Sequence, residues 1–425
     1  MLIELRIRPG DYWLRSILKA VRLEGLVRHG KVHRVPHLSL YGNARVPPGG
    51  WPELRYRVAE LCSKYRTLPY LVDDYDSRMT DEGKVVAFRV VHSNVLKTFR
   101  RDLVRSLGGR FPSEKAYDSE DVDPWFHITV AHKLPDHEFE RVWAYLHERE
   151  SRDRPSKARR LHVNKYRPYQ PLNGLRVTIL NDVGRIDREY DLGRQKFLTR
   201  EEALSRHGWC GTYKAYRISR GVELTGPQFS RTPEPETYFI SDLHLDHGNI
   251  IRYCSRPFCS VQGMNRVLVN NWNSTVRDMD RVYFLGDLTF GREHRPDRYW
   301  WNGLKGDKVF VKGNNQDSTV PGVLSSKFSV PDGREGETRF VAVHDPREMQ
   351  NDLRGWVEKN NAWIIHGHHH NNDLRNHPFI EGERRMINVS AEVVDYKPVS
   401  LTLLMSLGLN GIQKMDTITS VPERL

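Results

Sequence analysis

Seven side chains able to bind a metal ion stand at the ends of five short apolar runs in the second half of the chain. The runs are Phe239-Ile-Ser-Asp242-Leu-His244, Tyr283-Phe-Leu-Gly286-Asp287, Phe310-Val-Lys-Gly313-Asn314-Asn315, Val341-Ala-Val-His344-Asp345 and Ile364-Ile-His-Gly367-His368-His369-His370. Asp242, His244, Asp287, Asn314, His344, His368 and His370 offer oxygen and imidazole nitrogen without a thiolate. Such a set suits Mn²⁺, Fe, Co, Ni or Zn²⁺ in a site other than a cysteine-bound zinc centre. Asp242 and His244 are close enough in sequence to reach one ion, and the two oxygens of Asp287 can bridge two. A pair of ions roughly 3.5–4 Å apart would activate a water and clamp phosphate oxygens for in-line attack. Singly these residues say little. A Gly-Asp pair usually closes a strand at a turn, Asn314 after glycine can be a turn former, and a loop such as 366–370 can take up metal adventitiously. In this order, at five strand-like ends, they point to a dinuclear site built from distant parts of the chain.

A second constellation lies upstream. Pro36-His37-Leu-Ser39-Leu-Tyr41-Gly42 and Phe126-His127-Ile-Thr129-Val130 share one pattern, a histidine two residues before a hydroxyl. On a strand, residues i and i+2 share a face. His37 therefore lies beside Ser39 and His127 beside Thr129, with Leu38, Leu40, Ile128 and Val130 turned to the core. If the two strands meet, two imidazoles and two hydroxyls line one cleft. Such a cleft suits phosphate chemistry without metal. Unperturbed histidine titrates near pH ~6.5, so one ring can be the base and the other the acid. The base takes a proton from water, the acid gives one to a departing ribose oxygen, and Ser39 and Thr129 hold phosphate oxygens. One His-x-Ser or His-x-Thr is usually an ordinary strand histidine; the repetition gives the pattern its weight. Which histidine is acid and which is base the sequence does not decide.

The elements that must position these groups are legible in outline. Helical periodicity covers 12–26, 51–65 and 94–107, and strand-like runs cover 35–41, 84–91, 125–131 and 175–180, with 185–190 continuing the last. Helices and strands alternate without parallel-sheet regularity, so the class is α+β, and 425 residues imply more than one domain. Pro227, Pro233 and Pro235 mark a linker over 226–236. The expected division is a first domain over 1–195, an extension and linker over 196–236, and a metal domain over 237–425.

Charge is unevenly spread. Residues 1–235 hold 43 Lys and Arg against 30 Asp and Glu, whereas the rest hold 23 against 24. The basic half favours polyanionic, phosphate-rich partners. Its densest run, 149–167, contains Arg152, Arg154, Lys157, Arg159 and Arg160, followed by Tyr166 and Tyr169, whose faces could stack bases. A solvated basic loop is the plainer reading of that run. No stretch approaches the roughly 18–20 apolar residues of a membrane span. Glu4 and Arg6 stand where a signal peptide would be apolar. The expectation is a cytoplasmic protein without membrane partners. Cys62, Cys210, Cys254 and Cys259 are too few for a disulfide framework and read as reduced thiols.

The two histidine–hydroxyl motifs, with the strand and helix over 85–107, resemble those of the two-histidine (2H) phosphoesterases, the RNA 2′,3′-cyclic phosphodiesterases also called 2′-5′ RNA ligases. The resemblance covers residues 12 to about 195. It implies a bilobal α+β fold around a cleft, needing no metal. It also implies catalytic roles for His37, Ser39, His127 and Thr129 in opening a 2′,3′-cyclic phosphate, commonly to a 2′-phosphate. Ser39 stands where threonine is common. The order Asp-x-His, Gly-Asp, Gly-Asn, His, Gly-His-x-His resembles the calcineurin-like metallophosphoesterases over about 237–404. So do Asn249–Phe258 and Asn271-Trp272-Asn273, which are similar to one bacterial and archaeal branch. That resemblance implies a two-sheet sandwich flanked by helices. It matches Asp242, His244, Asp287 and His370 to one metal, and Asp287, Asn314, His344 and His368 to the other, with Mn²⁺ first among the candidates.

One position departs from that pattern. The family's Gly-Asn-His ends here in Asn315, which can bond a phosphate oxygen but cannot deliver a proton at neutral pH. His369 and Asp345 are the substitutes suggested by sequence proximity. The two halves together imply a bifunctional processor of RNA ends: the first opens a cyclic phosphate and the second hydrolyses the resulting phosphomonoester. Alternatives are an unrelated nucleotide or phosphodiester substrate for the metal domain, a small cyclic phosphate for the first, or a catalytically weak RNA-binding module. Oligomeric state is not readable.

Overall fold

Along residues 37–41 the side chains alternate, with Leu38 and Leu40 buried and His37 and Ser39 on the other face. The same alternation sets Ile128 and Val130 inward. The computed structural model describes all residues except 28, 29, 33, 34, 116, 117, 148–168, 225, 229–233, 292, 293, 315–318, 332–335 and 419–425, with the side chain of Tyr12 also set aside. It divides into two units, Met1–Ser219 and Arg220–Leu425.

The first unit is built on one nine-stranded sheet. Its strands are β1 (Leu2–Arg6), β2 (His37–Tyr41), β3 (Leu68–Thr80), β4 (Gly83–His92), β5 (His127–Leu134), β6 (Gln170–Gly174), β7 (Arg176–Leu180), β8 (Ile186–Asp191) and β9 (Lys196–Leu198). Their order is β6-β3-β4-β5-β2-β1-β7-β8-β9, and every pairing is antiparallel. The two motif strands, β2 and β5, are therefore neighbours at the centre.

Helices bury their apolar stripes on the sheet. In α1 (Tyr12–Leu23) the stripe is Trp13, Leu14, Ile17, Leu18 and Val21. Next come α2 (Trp51–Cys62), α3 (Asn94–Gly108) and α4 (Asp136–His147). Ser93 caps α3, its Oγ accepting from Leu96 N at 3.1 Å, and Leu96, Phe99, Leu103 and Leu107 fill the core beneath it. Two further helices, α5 (Arg200–Leu204) and α6 (Arg206–Ser219), follow β9. Thr199 and Glu202 form a capping box that starts α5.

The second unit has two sheets. One joins β10 (Thr237–Ile240), β11 (Arg281–Phe284) and β12 (Asp307–Phe310) in parallel, with a later strand, Val399–Ser400, antiparallel at the edge. The other contains β13 (Ser325–Pro331), β14 (Glu337–Val343), β15 (Trp363–His366), a two-residue strand β16 (Ile380–Glu381) and β17 (Met386–Asn388), ending at Lys414–Met415. Within it β14, β15 and β17 run parallel. Phe328 of β13 stacks on Phe239 and Tyr283 of the first sheet, with ring centroids 5.6 and 5.3 Å apart. Parallel strands bring their carboxyl ends together, and those ends are where the Asp, Asn and His residues lie. Among the described residues no helix is long and apolar enough to cross a membrane.

Candidate functional site

Leu38 of β2 faces Ile128 of β5 across an antiparallel pair. That register sets His37 opposite Thr129 and Ser39 opposite His127 on the face away from the core. The four expected residues of the first unit thus share one patch. Each histidine is held the same way by its own strand. Nδ1 of His37 lies 3.1 Å from Val35 O, and Nδ1 of His127 lies 2.8 Å from Trp125 O. A carbonyl can only accept, so each Nδ1 carries hydrogen, and Nε2 is the atom that takes up or releases a proton.

Residues without an expected role complete this patch. The Trp125 indole stacks on His127 at 3.9 Å between centroids, and its Nε1 donates to Asp76 Oδ2 at 2.8 Å. Arg78 lies over the same indole, 4.6 Å from its centroid. Burial pulls the His127 imidazole below its usual pKa; the Trp125 carbonyl opposes that, and His37 and Arg78 add to it. On the far side, α5 and α6 form a wall. Arg176, wholly buried, donates to Glu189 Oε1 at 2.7 Å, Ala203 O at 3.0 Å and Thr212 Oγ1 at 2.7 Å, and lies 3.8 Å from the Trp209 ring centroid. Arg6 reaches the same Glu189 at 3.0 Å. Segment 196–219 therefore belongs with the first unit, whereas sequence periodicity places it only loosely.

The second unit gathers five of its seven expected ligands tightly. Ligand atoms of Asp242, His244 and His370 lie within 4.8 Å of one another, as do those of Asp242, Asp287 and His344. His244 Nε2 is 3.5 Å from Asp287 Oδ2, and His370 Nε2 is 3.7 Å from Asp242 Oδ1. Asp242 Oδ1 and His244 Nε2 are buried and have no hydrogen-bond partner among the described residues, which leaves them available to a cation. The backbone is left-handed at Asp242, His244, Asp287, His368 and His370, with φ between 49° and 68°. Non-glycine residues held there cost about 1–3 kcal/mol each. Two glycines permit the close approach. A Cβ on Gly286, whose φ is 91°, would meet His344 Nδ1 at 2.6 Å, and one on Gly367 would strike Ser241 and Asp242.

The remaining two expected ligands lie at the rim. His368 donates its backbone N–H to Asp242 Oδ2 at 2.9 Å, and its Nδ1 is 3.3 Å from His344 Nε2, while its Nε2 faces Arg347 at 2.8 Å. Asn314 is exposed, and its amide donates to Glu348 at 3.2 Å. Asn315 lies outside the described residues, as do Arg152, Arg154, Lys157, Arg159 and Arg160. The two substitutes suggested for the missing histidine sit in opposite surroundings. Burial would lift the Asp345 carboxyl, but Arg347 chelates it and holds it below the usual carboxylate range, so it has no proton to give. His369 stacks on His377 at 3.4 Å, and burial with His377 and His366 pulls its imidazole down to about 2.

Two residues that carried no expected role organise this cluster. His370 Nδ1 is 3.0 Å from Glu392, and Glu392 pairs with the wholly buried Arg256 at 2.6 Å. Arg256 also donates to the carbonyls of Leu243 and Asp242, both at 2.8 Å. Burial alone would lift the Glu392 carboxyl, yet Arg256 and His370 hold it down to about 2. Burial disfavours the His370 imidazolium, but Cys254, Glu392 and Asp242 outweigh it and raise its pKa well above the usual value. The Asn271-Trp272-Asn273 segment is structural here. Asn271 bonds the backbone at Val222, Leu224 and Tyr396, and Asn273 ties Gly303 and Lys305.

Residues 13–170 match the family model described as the 2′-5′ RNA ligase superfamily. Over 171 residues the chain is 43% identical to the uncharacterized protein MJ1445 of Methanocaldococcus jannaschii, covering 40% of this chain and 89% of that protein. A solved structure, the protein of unknown function AQ665 from Aquifex aeolicus, is 24% identical with a TM-score of 0.32 over 41% of this chain and 100% of that one; a likeness of that size carries no argument.

Proposed function

We propose, from the premise that residues 13–170 make this chain a member of the 2′-5′ RNA ligase superfamily, that its first unit opens 2′,3′-cyclic phosphates at RNA ends and leaves a 2′-phosphate. The observation that carries this reading is the β2–β5 register, which sets both His-x-hydroxyl pairs on one patch. In the reaction, water gives a proton to one Nε2 as its oxygen bonds phosphorus. The bond from phosphorus to a ribose oxygen breaks, and the other Nε2 supplies that oxygen with a proton. Ser39 and Thr129 hold the non-bridging oxygens.

The second unit is read as a calcineurin-like phosphomonoesterase acting on the product of the first. Its donor set fits two divalent ions, with Mn²⁺ first and Fe, Ni, Co or Zn as alternatives. The orphaned Asp242 Oδ1 and His244 Nε2 support that fit. Asp242, His244, Asp287 and His370 would hold one ion, and Asp287, Asn314, His344 and His368 the other. Such ions supply an activated water and neutralise phosphate charge. Within the protein, Leu285 O fixes His344 through its Nδ1 at 2.6 Å, and Glu392 does the same for His370. The alternative, a weak RNA-binding module or an enzyme for another nucleotide, is favoured by Asn315 alone.

The test is an end-labelled oligonucleotide carrying a 2′,3′-cyclic phosphate. Ring opening is expected with or without chelator, and phosphate release only without it. Ring opening that needs metal would sink the division of labour. Arg152, Arg154, Lys157, Arg159 and Arg160 are assigned to RNA phosphates. Replacing them together with glutamine should weaken oligonucleotide binding and flatten its dependence on salt. The log–log slope should fall by up to about 0.7–0.9 for each phosphate no longer neutralised; an unaltered slope rejects the role.

A further inference from the structure

Asp287 and Phe290 share one loop at the end of β11. That loop is zipped to the Asp242–His247 loop. The His244 N–H donates to Asp287 O at 3.0 Å, the Leu245 N–H to Leu288 O at 2.8 Å, and the Phe290 N–H to Leu245 O at 3.4 Å. Asp246 braces the same pair of loops. Its Oδ2 accepts from Arg295 N at 3.0 Å and from Trp300 Nε1 at 2.9 Å. The Phe290 ring lies 5.9 Å from the His244 ring and 4.8 Å from the His247 ring, centroid to centroid. It is nevertheless 43% exposed, and Tyr253, 39% exposed, borders His247 as well, at 6.2 Å. A single exposed apolar side chain is ordinary on a protein surface. This one stands against the imidazole whose Nε2 is buried with no hydrogen-bond partner among the described residues.

We propose that Phe290 is a stacking platform for the nucleobase of the substrate, so that the second unit takes nucleotides in preference to base-free phosphate esters. The assignment rests on the phosphomonoesterase reading above and adds what the leaving group carries. A nucleotide's base is one sugar away from its phosphate. With the phosphate against Asp242, His244 and Asp287, the base is the part that reaches the rim of the cluster, where Phe290 offers its ring. Stacking on an aromatic side chain grips any base by its π-face, without the hydrogen bonds that read sequence. That suits RNA ends of every sequence. The bracing of the two loops bears on the energetics. A ring already held by its loop and by two imidazoles loses little freedom when a base covers it, so little of the stacking energy goes into ordering the protein. Phe290 does no chemistry itself; it orients the nucleotide while the donor set beside it holds the phosphate.

The experiment compares adenosine 2′-monophosphate with glycerol 2-phosphate, two monoesters of secondary alcohols of which one carries a base. It uses the full chain with Mn²⁺ added, and its Phe290→Leu and Phe290→Tyr variants. The unaltered chain should favour the nucleotide in kcat/KM. That preference should fall about tenfold in Phe290→Leu, which keeps an apolar side chain against the histidines but removes the ring. Phe290→Tyr should retain it. A merely structural role would lower both activities together, so an unchanged preference in Phe290→Leu, or no preference in the unaltered chain, overturns the proposal. Release of phosphate from neither ester by the unaltered chain would remove the phosphomonoesterase reading instead. Calorimetric titration of adenosine 2′-monophosphate into the unaltered chain and Phe290→Leu then decides the platform by itself. The Kd should rise about tenfold in the variant, and equal Kd values overturn the proposal.

Discussion

Arg256 has a task out of proportion to its place in the sequence. Its planar fork holds two carbonyls of the Asp242–His244 turn and the carboxylate that orients His370. Left-handed backbone at Asp242, His244 and His370 persists only where neighbours over-determine it, and this guanidinium is one such neighbour. Lysine keeps the charge but offers a compact point charge without the fork. Arg256→Lys is therefore expected to destabilise the second unit by about 3 kcal/mol in denaturant unfolding. On the dinuclear-metal proposal it should also lower the Mn²⁺ bound per chain after dialysis, measured by elemental analysis. Wild-type metal content at wild-type stability would show that the strap is dispensable.

At the scale of elements, the motif strands and helices are well encoded locally. The helices expected over 12–26, 51–65 and 94–107 run from Tyr12 to Leu23, Trp51 to Cys62 and Asn94 to Gly108. The first two stop about a turn early: Gly25, at φ 61°, follows the end of the first, and Leu26 and Tyr65 pack on the core from beyond the helices. β3 escapes pattern reading because Asp73, Asp74 and Asp76 break its alternation, and its register shifts between Val72 and Tyr75. α4 and α6 are hidden for a different reason: their apolar stripes are thin, and packing against the sheet decides them. The clustered Asp and His residues of the second unit are legible as candidates since each closes an apolar run. Glu392, Arg256 and Trp125 are not, because their significance comes from partners up to 136 residues away. No local pattern encodes such a pairing.

For the whole molecule, the boundary between units carries its own test. The expected first domain ends at residue 195 with 196–226 as its extension, and a cut at 195 would separate Arg176 from Ala203, Thr212 and Trp209, which surround it in the folded chain. A fragment of residues 1–195 should be less stable than one of 1–219 by about 3 kcal/mol or more, since each hydrogen bond removed from a charged group is worth about 1.5–3 kcal/mol. Urea unfolding of the two fragments decides it, and equal midpoints would mean that α5 and α6 are ornamental. The uneven charge belongs to this scale too. The basic excess of residues 1–235 places the attraction for phosphate-rich chains in the part of the sequence that carries both His-x-hydroxyl motifs.

The wall made by α5 and α6 has a practical corollary for anyone who borrows the first unit by itself. The family match stops at residue 170, yet the guanidinium of Arg176 and the carboxylate of Glu189 lie beyond that limit and share one buried network with Arg6 near the start of the chain. Trimming to residues 13–170 would remove all three together with β1, the neighbour of β2, and leave one edge of the His37 strand unpaired. On the cyclic-phosphate proposal, activity would then fade with every motif residue still in place.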